Sequence, residues 1–522
     1  MPHTSSTTTP ARHDGRGRLA WVPLAVVLAL GVLLRIGGLS DKLVWHDEVF
    51  TRLFVAGQES GSWFPRLYAG EPLPVAEVQG LQRLTPGSTL VDTARGLALN
   101  EPQHPPAYYL LARLWVGWFG DGIGPLRVLS ALCSLLGFPA LWWLVRELCW
   151  ARRVAWTALG LLAFSPFFLL YAQEAREYAL WGVLVVAATA ALLRALRRGT
   201  LAAWACYALL TAACLYTSFS SAGVLGAHGL FVLWQARGRP TPQARAFAVA
   251  CAATLALFSP WLLALRVHWE AFRTSMAWSG TVVVPRAELL AELARNGSRV
   301  VLDLGSLGGG VLPWVGVAAG ALLLVVAVGA LPRTAPAGAE ALILCLIGLP
   351  VALLLGPDLV FGGIRSLSAR YLVPAWLGLL LALAFLLGGE GRWVSRLRVG
   401  VLALAGLSCV LDTFDPAPWT KGVSVSLPAV AAEVNAAEAP LVFGNEERHH
   451  PGNLLALSLL LRPDARMRFL RFGVDPRLGP EDRAVFLFSP TPQFRELVET
   501  ETGGRCRLLV KDVHLELWRL ER

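Results

Sequence analysis

The sequence predicts a polytopic α-helical membrane protein that ends in a small α/β domain. Three observations predict it. Hydrophobic residues make up 55% of the 522 residues and charged residues only 16%, against about 45–50% and 25% in soluble domains. Mean hydropathy is +0.54. Such a balance excludes a largely disordered chain, and it leaves too little charge to cover a large soluble enzyme. Next, apolar runs recur at about the length that crosses a hydrocarbon core of about 30 Å. Last, the net charge of +10 is almost all arginine, with lysine only at Lys42, Lys421 and Lys511, and the arginines fall in alternate loops. That is a topology signal rather than a nucleic-acid footprint.

The elements follow in order. Residues 1–18 are polar and carry Arg12, Arg16 and Arg18; they read as a cytoplasmic tail. The apolar run 19–39 is long enough to span and has no clear small-residue cleavage site, so it reads as an uncleaved first helix. Further runs lie at 125–146, 154–171, 178–194, 201–218, 221–236, 245–265, 309–331, 339–356, 370–388 and 398–411, for about eleven transmembrane helices. The stretch PPAYYLLARLWVGWFG at 105–120 is short and carries Arg113. Left in the interface, it puts Arg146, Arg152, Arg153, Arg194, Arg197, Arg198, Arg237, Arg239, Arg245, Arg333, Arg392, Arg396 and Arg398 together on the cytoplasmic side. It therefore reads as a juxtamembrane helix with Tyr108, Tyr109, Trp115 and Trp118 at headgroup level.

This topology places loop 40–124, loop 266–308, short turns near 172–177, 218–221 and 357–369, and the tail 412–522 outside. The tail alternates strand-like runs (439–443, 467–472, 484–488, 507–510) with helical ones (452–462, 491–501) and reads as an extracytoplasmic α/β domain. The expected division is thus a tail 1–18, a transmembrane domain 19–411 that includes loop 40–124, and the domain 412–522. The cysteines lack any zinc-like spacing and read as small buried hydrophobes.

Four clusters could carry chemistry, and all fall on the external face. Trp45-His46-Asp47-Glu48 puts two carboxylates and a histidine at the end of the first helix. A carboxylate beside apolar walls can have its pKa raised, which suits a general base; alternatively the cluster is a solvated helix cap. Glu101-Pro102-Gln103-His104-Pro105-Pro106 sets His104 near a helix N-terminus, where anions are favoured. Gln173-Glu174-Ala175-Arg176-Glu177 packs charges into almost no loop, as polar residues facing an internal cavity do. Arg365 and Arg370 defy the positive-inside trend and want a partner; a lipid phosphate matches the guanidinium fork, as loop acids also would. Together these point to an anionic lipid whose headgroup meets an external acceptor.

WHDE, QHPPAYYLLARLWVGWFG, SPFFLLYAQEAREYALWGVL and SARYLVPAW, in that order, resemble the GT-C lipid-linked glycosyltransferases over residues 19–390. The nearest branch is the bacterial group related to protein O-mannosyltransferases, aminoarabinose transferases and lipopolysaccharide galacturonosyl transferases. The resemblance implies a GT-C-like fold and a polyprenyl-phosphate sugar donor. It implies Asp47 as catalytic base with Glu48 beside it, His104, Arg176, Arg365 and Arg370 near the donor phosphate, and Glu174 in the wall of the same cavity. One departure is Tyr216-Thr217-Ser218-Phe219, where many relatives carry His after Thr. His46, Asp47 and Glu174 would share a divalent metal ion only where the first loop meets the QEAR turn.

The expected activity is glycosyl transfer from polyprenyl phosphate to a hydroxyl acceptor of the cell envelope, with inversion, in the bacterial inner (plasma) membrane. Membrane lipids are partners and nucleic acid is not. The rival readings are a polysaccharide polymerase and a transporter of lipid-linked sugars. A transporter would place its binding residues near the midplane and show repeats, and neither is evident.

Overall fold

The computed structural model describes residues 22–58, 63–308, 310–445, 450–471, 478–479 and 482–522. The expected cytoplasmic tail 1–18 lies outside the described residues. Each expected apolar run contains helix among its described residues. Among the described residues seven helices are long and apolar enough to cross a membrane: Ile123–Leu148, Tyr178–Arg198, Pro242–Val267, Val311–Thr334, Ala339–Phe361, Ala369–Leu387 and Arg392–Thr413. The pair Arg152–Ala163 and Pro166–Ala172, bent by 57°, forms an eighth apolar unit, and Leu24–Ile36 and Leu201–Thr217 are shorter apolar helices. Ser221–Gln235 fills the remaining run. The chain is a multi-pass membrane protein.

The bundle has a hub and a lipid-facing rim. Of the apolar stretch in Ala369–Leu387, 78% is buried in protein, against 22% in Pro242–Val267 and in Val311–Thr334. The hub therefore packs on helices all round, while the rim keeps its leucines and valines for lipid. The 57° bend has a local cause. Pro166 lacks an N–H and disfavours a helical residue before it, so the first half-helix stops at Ala163. Buried Arg35 then donates to the freed carbonyls of Leu162 (2.7 Å) and Ala163 (3.0 Å). The bend delivers the Gln173–Glu177 turn to one end of the bundle.

The first loop is itself folded into helices His46–Ala56, Trp63–Leu67, Val75–Gly80, Leu90–Asn100 and Ala107–Phe119. Thr89 and Asp92 form a capping box at the start of Leu90–Asn100, satisfying two orphan donors. Ala107–Phe119 corrects one expectation. Trp118 (80%) and Phe119 (55%) are exposed, but Tyr108 and Tyr109 are fully buried and do not reach the headgroups. Their hydroxyls have partners inside: Tyr108 meets Ser130 Oγ at 2.7 Å, and Tyr109 donates to Glu177 Oε2 at 3.5 Å.

Among the described residues, five strands of the tail and one of the first loop build a six-stranded sheet. Its strands are β1 (Leu73–Pro74), β2 (Leu441–Asn445), β3 (Arg466–Leu470), β4 (Val485–Phe488), β5 (Arg505–Lys511) and β6 (Glu516–Glu521), in the order β1-β3-β2-β4-β6-β5. β2 runs parallel to β3 and β4 and the other pairs are antiparallel. β4 is buried at every residue and β2 at all but Asn445, as central strands covered on both faces are. β1 comes from the first loop, and Val49, Leu53, Tyr68 and Val78 of that loop share a core with Leu427, Leu454 and Phe469 of the tail. First loop and tail fold as one body on the bundle.

Candidate active site

One cavity of about 1200 Å³ opens where loop, turn and tail meet. Its wall includes His46, Asp47, Glu101, His104, Arg176, Arg299, Arg370, Trp419 and Thr420. The arginine-bearing loop ends lie at the opposite end of the bundle, where Glu147, Leu193, Gln235, Arg237 and Ala337 gather.

Asp47 and Glu48 open the His46–Ala56 helix. Neighbours on a helix point about 100° apart, so the two carboxylates part company. Asp47 faces the cavity and accepts from Arg370 Nη1 at 2.5 Å. Burial pushes its pKa up, but Arg370, then Arg176, His46 and His104, outweigh burial and hold it at about 2. The raised pKa expected for this carboxylate is therefore corrected: an arginine sits where an apolar wall was expected.

Glu48 turns inward and is fully buried. It accepts from Arg127 Nε (2.7 Å) and Nη2 (2.6 Å), from Ala175 N (3.0 Å) and from Lys421 Nζ (3.2 Å). Arg127 also donates to the carbonyls of Leu39, Lys42 and Leu43. The structure does not bring Glu48 into the cavity.

The Gln173–Tyr178 turn is buried throughout. Arg176 donates to Asp47 O and Thr51 Oγ1, each at 3.3 Å, and its Nε lies 3.4 Å from Glu177. His104 Nδ1 lies 3.2 Å from Glu177. Burial raises the Glu177 carboxyl, yet Arg176 and His104 bring it down to about 2. Glu174 turns away to Thr420; burial raises its pKa, with Lys421 opposing. First loop and QEAR turn do meet, but Asp47 pairs with arginine and Glu174 points elsewhere. Among the described residues no group of three or more His, Cys, Asp or Glu side chains is placed to hold a metal ion.

Arg365 stands apart. Its Nη1 donates to Asp358 Oδ1 and to Gly362 O, both at 2.9 Å. A Cβ at Gly280 would meet its guanidinium at 2.5 Å. Arg365 thus ties its own turn to the end of the Ala339–Phe361 helix, and Ile364 and Leu367 of that turn line the cavity; Ile364 N donates to Ser279 O at 2.8 Å. Arg295 and Arg299 of the second loop, not singled out in the sequence, do line the cavity. Arg299 lies over the Trp419 ring at 4.0 Å.

Residues 103–263 match the family model described as dolichyl-phosphate-mannose-protein mannosyltransferase. No curated protein matches the chain. The fold is similar to the crystal structure of ArnT from Cupriavidus metallidurans bound to undecaprenyl phosphate, with TM-score 0.54 and 12% identity over 96% of this chain and 98% of that one. The Archaeoglobus fulgidus oligosaccharyltransferase in its apo form aligns at TM-score 0.46 and 12% identity, over 87% and 65%. The S. cerevisiae Pmt1-Pmt2 complex bound to its sugar donor aligns at 0.32 and 14%, over 48% and 34%. The fold is that of a polytopic GT-C protein. The family match lies inside that fold, so the chain is similar to lipid-linked glycosyltransferases in fold and, over residues 103–263, in sequence.

Proposed function

We propose that the protein transfers a sugar from a polyprenyl-phosphate donor to a hydroxyl acceptor on the extracytoplasmic face, with inversion. The observation that carries the reading is the Asp47–Arg370 pair, 2.5 Å apart, in a large cavity lined also by Arg176 and His104. A phosphate entering there competes for the Arg370 fork. As Arg370 turns to the phosphate, Asp47 loses its main cation and its pKa climbs, so donor binding itself prepares the base. The acceptor oxygen then attacks the anomeric carbon, its proton passes to Asp47, and the bond to the phosphate oxygen breaks with its electron pair. Arg370, Arg176 and His104 stabilise the charge that collects on the leaving phosphate, and Arg295 and Arg299 extend the cationic wall. Glu48 holds the helix that aims Asp47, and Arg365 anchors the wall.

That ArnT binds undecaprenyl phosphate supports a polyprenyl carrier here. The clustering of arginine at the end opposite the cavity supports a cytoplasmic N-terminus in a bacterial plasma membrane. We divide the chain into a tail 1–18, a catalytic membrane domain 19–411 and an extracytoplasmic domain 412–522 that completes the cavity. Asp47→Asn keeps the shape and removes the base. It should abolish transfer from lipid-linked sugar while expression and detergent stability stay near wild type; near-normal transfer would sink the assignment.

A further inference from the structure

We propose that Glu101 and Gln103 read adjacent hydrogen-bond donors, hydroxyl or ammonium, on the transferred sugar and exclude sugars that carry a carboxylate. This rests on the glycosyltransferase reading above. Both residues line the cavity that contains Asp47. The cavity's other carboxylates have cations: Asp47 has Arg370, and Glu292 has Arg295 and Arg299. Glu101 alone, among the described lining residues, has no arginine, lysine or histidine within ion-pair distance. Its side-chain partner is the Gln103 amide, whose Nε2 donates to Glu101 Oε2. That bond fixes the amide so that Gln103 Oε1 is the acceptor left over, and this atom is buried without a partner.

Gln103 Oε1 therefore has nothing supplied to it, and Glu101 beside it has only the Gln103 amide, with acceptor capacity to spare. A buried acceptor left unpaired is costly, so a ligand that brings two donors is favoured, and one that brings a carboxylate meets like charge. Trp45 supplies the converse group: its ring is 4% exposed, it lines the same cavity, and its Nε1–H has no partner. The loop is held firmly enough to discriminate. His104 N donates to Glu101 O at 2.9 Å, and Trp261 Nε1 donates to Pro102 O at 3.1 Å. Burial also raises the Glu101 carboxyl, with His104 opposing.

The test uses full-length protein in detergent and undecaprenyl-phosphate donors carrying a neutral sugar, an amino sugar or a uronic acid. Wild type should transfer a neutral or amino sugar and reject the uronic acid. Glu101→Gln, which keeps the backbone bonds of the loop, should narrow that kcat/KM ratio by about tenfold or more and raise KM for the preferred donor. Retained binding of undecaprenyl phosphate reports an intact site in the variant. Equal use of the uronic donor by wild type, or an unchanged ratio in a Glu101→Gln protein that still binds the carrier, overturns the assignment and leaves the glycosyltransferase reading standing. No transfer from any donor by wild type overturns both.

Discussion

Replacing Lys421 or Arg127 with methionine removes one cation from the same buried carboxylate, yet the costs should differ sharply. The Glu48 and Arg127 side chains are 0% exposed and Lys421 is 1% exposed, so solvent screens neither pair. In Lys421→Met, Glu48 keeps both Arg127 bonds and Ala175 N, and Leu43 O keeps Arg127 Nη2 at 2.9 Å. No group is stranded, and repulsion between the two cations disappears. The loss is then that of a charged hydrogen bond, about 1.5 kcal/mol. In Arg127→Met the carbonyls of Leu39 and Lys42 lose the donor that Arg127 Nη1 supplies at 2.6 and 2.9 Å, and Glu48 is left to Lys421 and one N–H. Breaking a buried pair this way costs about 3–5 kcal/mol. Unfolding of detergent-solubilised protein by added SDS, followed by helical circular dichroism, gives the order directly. A Lys421→Met loss equal to or larger than that of Arg127→Met would refute the hierarchy.

Arg370→Gln removes the largest cationic influence on Asp47. The Asp47 pKa should rise by about 1–3 units from its present low value, read as an acid limb of residual kcat/KM that moves to higher pH; an unmoved limb contradicts the pairing. Glu174, raised by burial, binds its proton more tightly folded than unfolded. Its contribution to stability is therefore full at pH below the ordinary carboxylate range and falls as pH climbs through and above it. Glu174→Gln should flatten that decline in a melting profile taken across pH, and an unchanged slope would show that another group carries it.

Apolar length made the spans legible, because twenty or so apolar residues have few alternatives to a membrane helix. The clustering of WHDE, QHPP, QEAR and SARY at one face was legible for the same reason: once arginines orient the spans, the loops between them have only two sides to occupy. Side-chain direction was not legible to that reasoning. Tyr108 and Tyr109 look like headgroup aromatics until Ser130 and Glu177, from other elements, claim their hydroxyls. Glu48 looks like a second catalytic acid until helix geometry turns it 100° from Asp47. Arg127 falls inside an apolar run and Lys421 in a tail without a motif. Their partner lies 79 and 373 residues away, a separation that local periodicity does not register. β6 was missed, and β1 was invisible because two residues of strand carry no pattern.

The tail is therefore not an appendage to a finished site. Ser424 Oγ accepts from His46 N at 3.2 Å, and Asn453 holds Ser424 Oγ at 2.6 Å and Val423 O at 2.7 Å. The same six-residue segment, Trp419–Ser424, gives Trp419, Thr420 and Val423 to the cavity wall and Lys421 to Glu48. Thus the residue on either side of Asp47 is fixed by the tail: His46 through its backbone and Glu48 through its side chain. Asp47 itself makes its ion pair with the hub, through Arg370. A base held between two bodies keeps its aim only while both stay docked, so selection on the chemistry also selects the seam between them. Trp419 of the tail, packed on Phe167 and Tyr171 of the bundle, crosses that seam, and the ion cluster around Glu48 supplies its register.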